Sequence, residues 1–203
     1  MKIGIINNSL GNVGSVYSAL NFYKYDVRII LEPKELQNVD AIVLCGVGNF
    51  KTGISRLREL HFIDELNEQV LIKKKPVIGL CLGMQLFADT GYENGRNKGL
   101  GWINGEVVKM ESRVARIPHI GWDFVEAFDQ NLFKGMRYNY FYFMHSYRFI
   151  PENKTVIKAV TKYGDLEIVA AVKKDNIIGF QFHPEKSQGD GLRLLRNALE
   201  NVL

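Results

Sequence analysis

Apolar positions follow two different rhythms along this chain. Through the first ninety or so residues, short continuous apolar runs alternate with stretches of helical spacing. The continuous runs are Lys2–Asn7, Val27–Leu31, Ala41–Leu44 and Val77–Leu80. The helical stretches are Val13–Tyr23, Thr52–Leu60, Phe62–Lys74 and Leu82–Asp89. A strand that is apolar at every residue is covered on both faces, so this half predicts a parallel sheet with helices on either side. From Gly105 onward the segments shorten and Gly, Asn, Asp or Pro separates them. Glu106–Met110, Asp123–Val125, Tyr140–Phe143, Thr155–Thr161, Glu167–Val172 and Ile177–Phe182 have strand composition and read as mostly antiparallel. A last amphipathic helix, Gly189–Val202, carries Leu192, Leu195 and Leu199 on one face. No repeat, low-complexity tract or linker interrupts the pattern. The expectation is an α/β protein with a single domain over 1–203: a mixed central sheet flanked by helices, and an additional mostly antiparallel region in the second half.

Bulk properties narrow the class. At 203 residues the chain can bury a sizeable core. No apolar run approaches the ~18 residues of a membrane span, and the first residues enter a strand pattern rather than a signal-peptide core. The formal charge of +4 is modest, with Lys73–Lys75 the only basic run. That run sits where a helix ends, a favourable place for cations. No basic stripe with interleaved aromatics points to nucleic acid. Two cysteines, Cys45 and Cys81, do not make a disulfide framework, which argues for a reducing, cytoplasmic setting.

Chemistry concentrates in two places. Lys75–Gln85 is a short apolar strand running into Gly79, Leu80, Cys81, Leu82 and Gly83, then into a helical pattern. Small residues on both sides of a nucleophile suit a sharp strand-to-helix turn, where larger side chains clash with the neighbouring strand. Such a turn leaves the sulfur near a helix N-terminus, where free N–H groups favour a thiolate. About a hundred residues later, Gly179–Glu185 contains His183, Pro184 and Glu185. The residue before a proline is biased to extended backbone. Positions two apart in extended chain share a side, so His183 and Glu185 can face one site. Thiol, imidazole and carboxylate together supply a nucleophile, its general base and the group that fixes the base's tautomer. The competing reading, Cys81 as a buried small hydrophobe, leaves the flanking glycines unexplained.

These two motifs resemble those of the class I, triad-type glutamine amidotransferases, which have a flavodoxin-like fold. Further segments are similar to the glutaminase subunits of imidazole glycerol phosphate synthase: Gly11–Val16, Cys45–Gly48, Gly99–Trp102, Ile117–Trp122, Phe141–Tyr147 and Phe182–Gln188. The resemblance runs from end to end. It implies hydrolysis of glutamine to glutamate and ammonia, with the ammonia channelled to a (β/α)₈-barrel synthase partner that makes imidazole glycerol phosphate and AICAR in histidine biosynthesis. It implies no cofactor and no metal. Cys81, His183 and Glu185 match the catalytic triad. Val47 and Gly48, with Leu82, match the backbone donors of the oxyanion hole, and Gly46 belongs to the same loop on the substrate side. Gln85, Glu93, His145, Ser146 and Tyr147 match substrate-binding positions, with Glu93 toward the substrate ammonium and 145–147 toward its carboxylate. Trp122 looks like a residue at the edge of the synthase interface. His119 is expected to cap or pack, and His61 to lie on the surface.

The chain departs from that pattern twice. Asn7, Asn8 and Ser9 stand where family members usually have Asp-Tyr-Gly, and Cys45 stands where they usually have proline before the Gly46–Gly48 loop. Two alternatives stay open at this stage. One is a related amidotransferase that feeds ammonia to a surface-sugar-modifying synthase. The other is a stand-alone γ-glutamyl-type cysteine hydrolase on the same scaffold.

Overall fold

The structure is a computed structural model, and it describes residues 1–7 and 10–201. Asn8 and Ser9 of the substituted segment, and Val202 of the expected last helix, lie outside the described residues. The first half builds β1 (Lys2–Ile6), α1 (Val13–Asn21), β2 (Asp26–Ile30), β3 (Ala41–Gly46), α2 (Phe50–Glu59), α3 (Phe62–Asn67), β4 (Val77–Cys81) and α4 (Leu82–Gln85). Then come β5 (Thr90–Gly91), β6 (Asn97–Lys98), β7 (Gly105–Lys109), β8 (His119–Phe124), β9 (Glu126–Ala127), β10 (Tyr140–His145) and β11 (Tyr147–Pro151). β12 (Ile157–Tyr163), β13 (Leu166–Lys174), β14 (Ile177–Phe180) and α5 (Gln188–Asn201) complete the order.

Among the described residues, the central sheet has eight strands in the order β2-β1-β3-β4-β14-β13-β12-β9. β2, β1, β3, β4 and β14 run parallel, whereas β13, β12 and β9 extend the sheet antiparallel. The mixed sheet is therefore as expected, and the strand that joins its two parts is β14. Alternate residues of the parallel strands feed opposite layers. Ile3, Ile5, Val43, Ile78 and Phe180 pack with α1 and α5. Ile6, Ile42, Leu44 and Val77 pack with α2 and α3. On α5 the buried apolar side chains are Leu194, Leu195, Ala198 and Leu199, while Leu192 is only partly buried. Two smaller sheets, β10-β8 and β11-β7-β5-β6, roof one end.

Several boundaries differ from the sequence pattern. The helix after Cys81 is one turn, Leu82–Gln85, rather than reaching Asp89. Past Gln85 the Phe87 and Ala88 amides turn to the carbonyls three residues back, Met84 and Gln85, and the Asp89 amide donates to Gly105; the 100–102 segment closes in on the carbonyls of Leu86, Phe87 and Ala88 beyond the helix. Gly99 permits this approach, because a Cβ there would lie 2.1 Å from the Ala88 oxygen. The helical stretch from Phe62 changes at Glu68 into a wider turn ending at Ile72. β8 begins at His119, four residues before the expected strand, and Tyr147–Pro151 forms a strand that the pattern missed.

Gly83 carries the tightest contact of the elbow. A Cβ at this position would stand 1.8 Å from the Leu44 carbonyl oxygen, whereas one at Gly189 would meet nothing within 4 Å. Gly83→Ala must push α4 off β3, and should cost about 3 kcal/mol, the upper part of the overpacking range. For a chain of this length that is a drop in Tm of roughly 6–12 °C. Gly189→Ala, measured alongside by thermal unfolding, should leave Tm level or raise it.

Candidate active site

β4 and β14 lie side by side and parallel, with Leu80 opposite Phe180. Both chains leave the sheet at the same edge, so Cys81, the next residue on β4, meets His183, three residues beyond Phe180. Cys81 has φ 53° and ψ −109°, a conformation costly for a side-chain-bearing residue. It is held by the fit of the turn on both sides. A Cβ at Gly79 would fall 2.5 Å from the Phe87 ring and 2.7 Å from the Met84 nitrogen. The bend points the thiol out of the sheet edge. Because α4 is one turn long, its contribution at Cys81 comes from free N–H groups more than from an extended helix dipole.

His183 follows β14 and is buried, with Nδ1 2.8 Å from Glu185 Oε1. The pairing fixes the imidazole with its proton on Nδ1 and its Nε2 free for the thiol. Among the described residues Nε2 has no hydrogen-bond partner. Burial disfavours the imidazolium, but the Cys81 thiol and the Glu185 carboxylate outweigh it and hold the His183 pKa above its usual value. That neighbourhood favours the imidazolium formed when His183 takes up a proton. Beyond Cys81, Gln181 Nε2 stands 3.8 Å from the sulfur, and its Oε1 accepts from Gln85 Nε2 at 3.0 Å. Sequence reasoning passed over Gln181; its place two residues before His183 in an alternating strand end was the available signal.

A cavity of about 350 Å³ opens over the thiol. Of the residues expected at the site, Val47, Gly48, Cys81, Leu82, Gln85, Glu93, His145, Ser146 and Tyr147 line it. Gly46, His183 and Glu185 lie on the other side of the thiol, around a much smaller void shared with Cys45 and Asn12. Pro118, Ile120, Met144 and Asn49 complete the larger cavity without having been expected there. Gly46 pairs with Cys81 across β3 and β4, so the 46–48 loop starts beside the thiol. Within that loop the Val47 amide donates to the Leu10 carbonyl, and Gly48 has φ 111°. Gln85 Nε2 donates to the Tyr147 carbonyl at 2.9 Å. Glu93 accepts from the Phe50 amide at the start of α2, and burial raises its pKa against that bond. His145 is pushed down to about 3, first by burial, and is a neutral ring in the wall. Among the described residues no cluster of His, Cys, Asp and Glu is arranged to hold a metal ion, and no helix is long and apolar enough to cross a membrane.

The family model of the class-I glutamine amidotransferases matches residues 3–202. The chain belongs to that family. It is 45% identical over 198 residues to imidazole glycerol phosphate synthase subunit HisH 1 of Campylobacter jejuni, a match covering 96% of this chain and 98% of that one. It is 38% identical over 207 residues to subunit HisH of Pelagibacter ubique, covering 98% and 99% of the two chains. With subunit HisH 2 of Methanococcus maripaludis the identity is 41% over 206 residues, covering 98% and 100%. Among solved structures, a glutamine amidotransferase superposes with a TM-score of 0.75 at 19% identity, covering 97% of this chain and 98% of that one. PurLQS of Thermotoga maritima gives 0.75 at 15%, covering 100% and 99%. At these identities the superpositions speak for the class-I amidotransferase fold alone.

The two thiols of the family site differ in environment. Cys45 is next to last on a buried strand, and burial, followed by the charge of Glu185, pushes its pKa up to about 12. An affinity label that resembles glutamine should alkylate Cys81 stoichiometrically and leave Cys45 unmodified. Peptide mapping that finds the label on Cys45 with Cys81 free would reverse these roles.

Proposed function

We propose that this chain is the glutaminase subunit of an imidazole glycerol phosphate synthase, folded as a single domain over 1–203 and working in the cytoplasm. In this reading it hydrolyses glutamine to glutamate and ammonia and hands the ammonia to a (β/α)₈-barrel synthase subunit. The observation that carries the chemistry is the strained Cys81, set at the sheet edge beside the His183–Glu185 pair. The partner assignment leans on the end-to-end similarity to the synthase subunits named above.

The reaction runs as acyl transfer in two stages. Cys81 Sγ bonds to the carboxamide carbon of glutamine, and His183 passes the thiol proton to the departing nitrogen, so that the C–N bond breaks and ammonia leaves. Water then gives a proton to His183 and attacks the thioester carbon. The C–S bond breaks, glutamate is released and the thiol recovers its proton. Glu185 holds the ring in one tautomer throughout. The developing oxyanion takes backbone donors from Leu82 and from Val47 or Gly48. Glu93 lies where it can pair with the substrate ammonium, Gln85 beside the substrate, and the Ser146–Tyr147 backbone, with His145 behind it, toward the carboxylate. An apolar ridge of exposed Ile120, Trp122, Phe124 and Tyr140 runs along β8 and β10 next to the cavity. It supports a docking face for the synthase within reach of the ammonia exit.

Cys81→Ala should lower glutamine-dependent turnover of the complex by roughly four orders of magnitude or more, as loss of a triad nucleophile does. Ammonia-dependent synthesis by the partner should continue at its normal rate, since that chemistry lies on another chain. Glutamine turnover near the unsubstituted level in this variant overturns the role of Cys81.

Partner dependence follows from the loop. The Val47 amide is committed to the Leu10 carbonyl and gives the oxyanion no hydrogen bond until that peptide turns. One oxyanion donor is worth roughly 10²–10³ in rate, so glutamate release by the purified chain should rise by about that factor when the liganded synthase docks. Equal activation by a sugar-nucleotide synthase instead would redirect the pathway assignment. High unaided turnover that no partner changes would favour a stand-alone hydrolase.

A further inference from the structure

Behind the cavity wall, four groups are joined in a row. Asp123 Oδ2 lies 2.6 Å from His119 Nε2, and His119 Nδ1 lies 3.0 Å from His145 Nε2. His145 Nδ1 lies 2.8 Å from the Tyr147 carbonyl oxygen, which also accepts from Gln85 Nε2 at 2.9 Å. The row thus runs from a partly exposed carboxylate on β8 to the polar groups under the thiol. Its middle is dry: His119 is fully buried, stacked between Phe143 at 4.5 Å and Tyr163 at 4.0 Å.

Counting protons constrains this row. Both ends, the carboxylate and the carbonyl, are acceptors with nothing to donate. Each neutral imidazole has one N–H and one lone pair. Three hydrogen bonds in series need three protons, and two neutral rings bring only two. The row is therefore complete only with one additional proton, whichever way the tautomers are drawn. We propose that Asp123, His119 and His145 form one array, loaded with a single extra proton, that positions the Tyr147 carbonyl and the Gln85 amide beneath the substrate. The proposal rests on the glutaminase reading for the identity of that substrate.

The extra proton resides between His119 and Asp123. His145 is excluded, since burial pushes it down to about 3 and the charges of His119 and His183 add to that. At His119, burial is the largest effect and holds the pKa below its ordinary value, while the hydrogen bond and charge of Asp123 act the other way. The remaining groups facing the row are the Tyr163 ring on β12, whose hydroxyl donates to the Arg116 carbonyl, and the uncharged Phe143 ring on β10. The sign follows. While the proton is present all three bonds stand. When it leaves, as pH rises through the lowered His119 value, the charge-assisted bond to Asp123 keeps the Nε2 proton on His119. Two lone pairs then face each other between the rings, or His145 turns its lone pair on the Tyr147 oxygen. Either way the wall under the substrate loosens, so glutamine binding weakens as pH rises from mildly acidic toward neutral.

Asp123→Asn separates this from simple packing. The asparagine amide donates to Nε2 of a neutral His119, so the same three bonds form with no extra proton. The complex with its synthase should show a glutamine KM that rises roughly tenfold from mildly acidic to neutral pH, the worth of about one hydrogen bond, with kcat changing less. In the variant KM should stay level over that range. Ring-¹⁵N NMR of the chain should show His119 with both nitrogens protonated or sharing a proton at mildly acidic pH, and as a neutral ring in the variant. KM profiles that superpose, or a His119 ring that is neutral in both proteins, overturn the array. If the complex releases no glutamate at any pH, the glutaminase reading fails, and the NMR comparison alone decides the array.

Discussion

The segment after Cys81 lies closer to the central sheet than side chains would permit, and the rest of the site depends on that approach. Three glycines make the seat. Gly79 on β4 and Gly179 on β14 face each other across the parallel pair. A Cβ on the first would strike Phe87, and on the second Met84 at 2.7 Å; Gly83 touches the Leu44 carbonyl from the other side. With the turn pinned at three points, the backbone at Cys81 has no relaxed conformation open to it. The strain is small against the apolar burial of Leu82, Met84, Leu86 and Phe87, all but fully covered in the core beneath α2.

From that seat the chemistry follows by adjacency. β14 returns from the antiparallel part of the sheet and enters beside β4, so His183 and Glu185 arrive where Cys81 leaves. β3 ends on the other side and brings the 46–48 loop. Three chain segments far apart in sequence therefore meet at the carboxyl edge of three neighbouring parallel strands, the place where open α/β sheets bind ligands. The antiparallel roof does a different task. β8 and β10 carry the His119–His145 row inside and an apolar ridge outside, so one small sheet faces both the substrate cavity and the surface where a partner would dock.

Burial sorts the ionisable groups into separate roles. Cys45, next to last on β3, and Cys81, last on β4, belong to the same sheet, yet only Cys81 meets the imidazole; Cys45 lies on the far side of the small void behind it, with Glu185 adding repulsion to desolvation. His183 keeps a charge-favouring neighbourhood, whereas His145 is held neutral. These are differences of a few ångströms in a dry medium, where such distances carry most of the energy.

Sequence alone settled what depends on local steric and periodic rules. Continuous apolar runs marked the parallel strands, because such strands are covered on both faces. Glycines around Cys81 marked the elbow, because only they fit the turn. His183-Pro184-Glu185 marked an imidazole paired with a carboxylate, because extended chain places i and i+2 together. Tertiary structure decided the rest, for reasons no local pattern encodes. The elbow helix stops after one turn as the Asp89 amide donates across the fold to the Gly105 carbonyl instead of back to Gln85. The Val47 amide is turned to Leu10, a contact between two loops. Asp123, His119 and His145 come into one row because β8 pairs antiparallel with β10, setting His119 opposite His145. Hydrogen-bond partners distant in sequence are chosen by register and packing, and neither is written in the periodicity of a single segment.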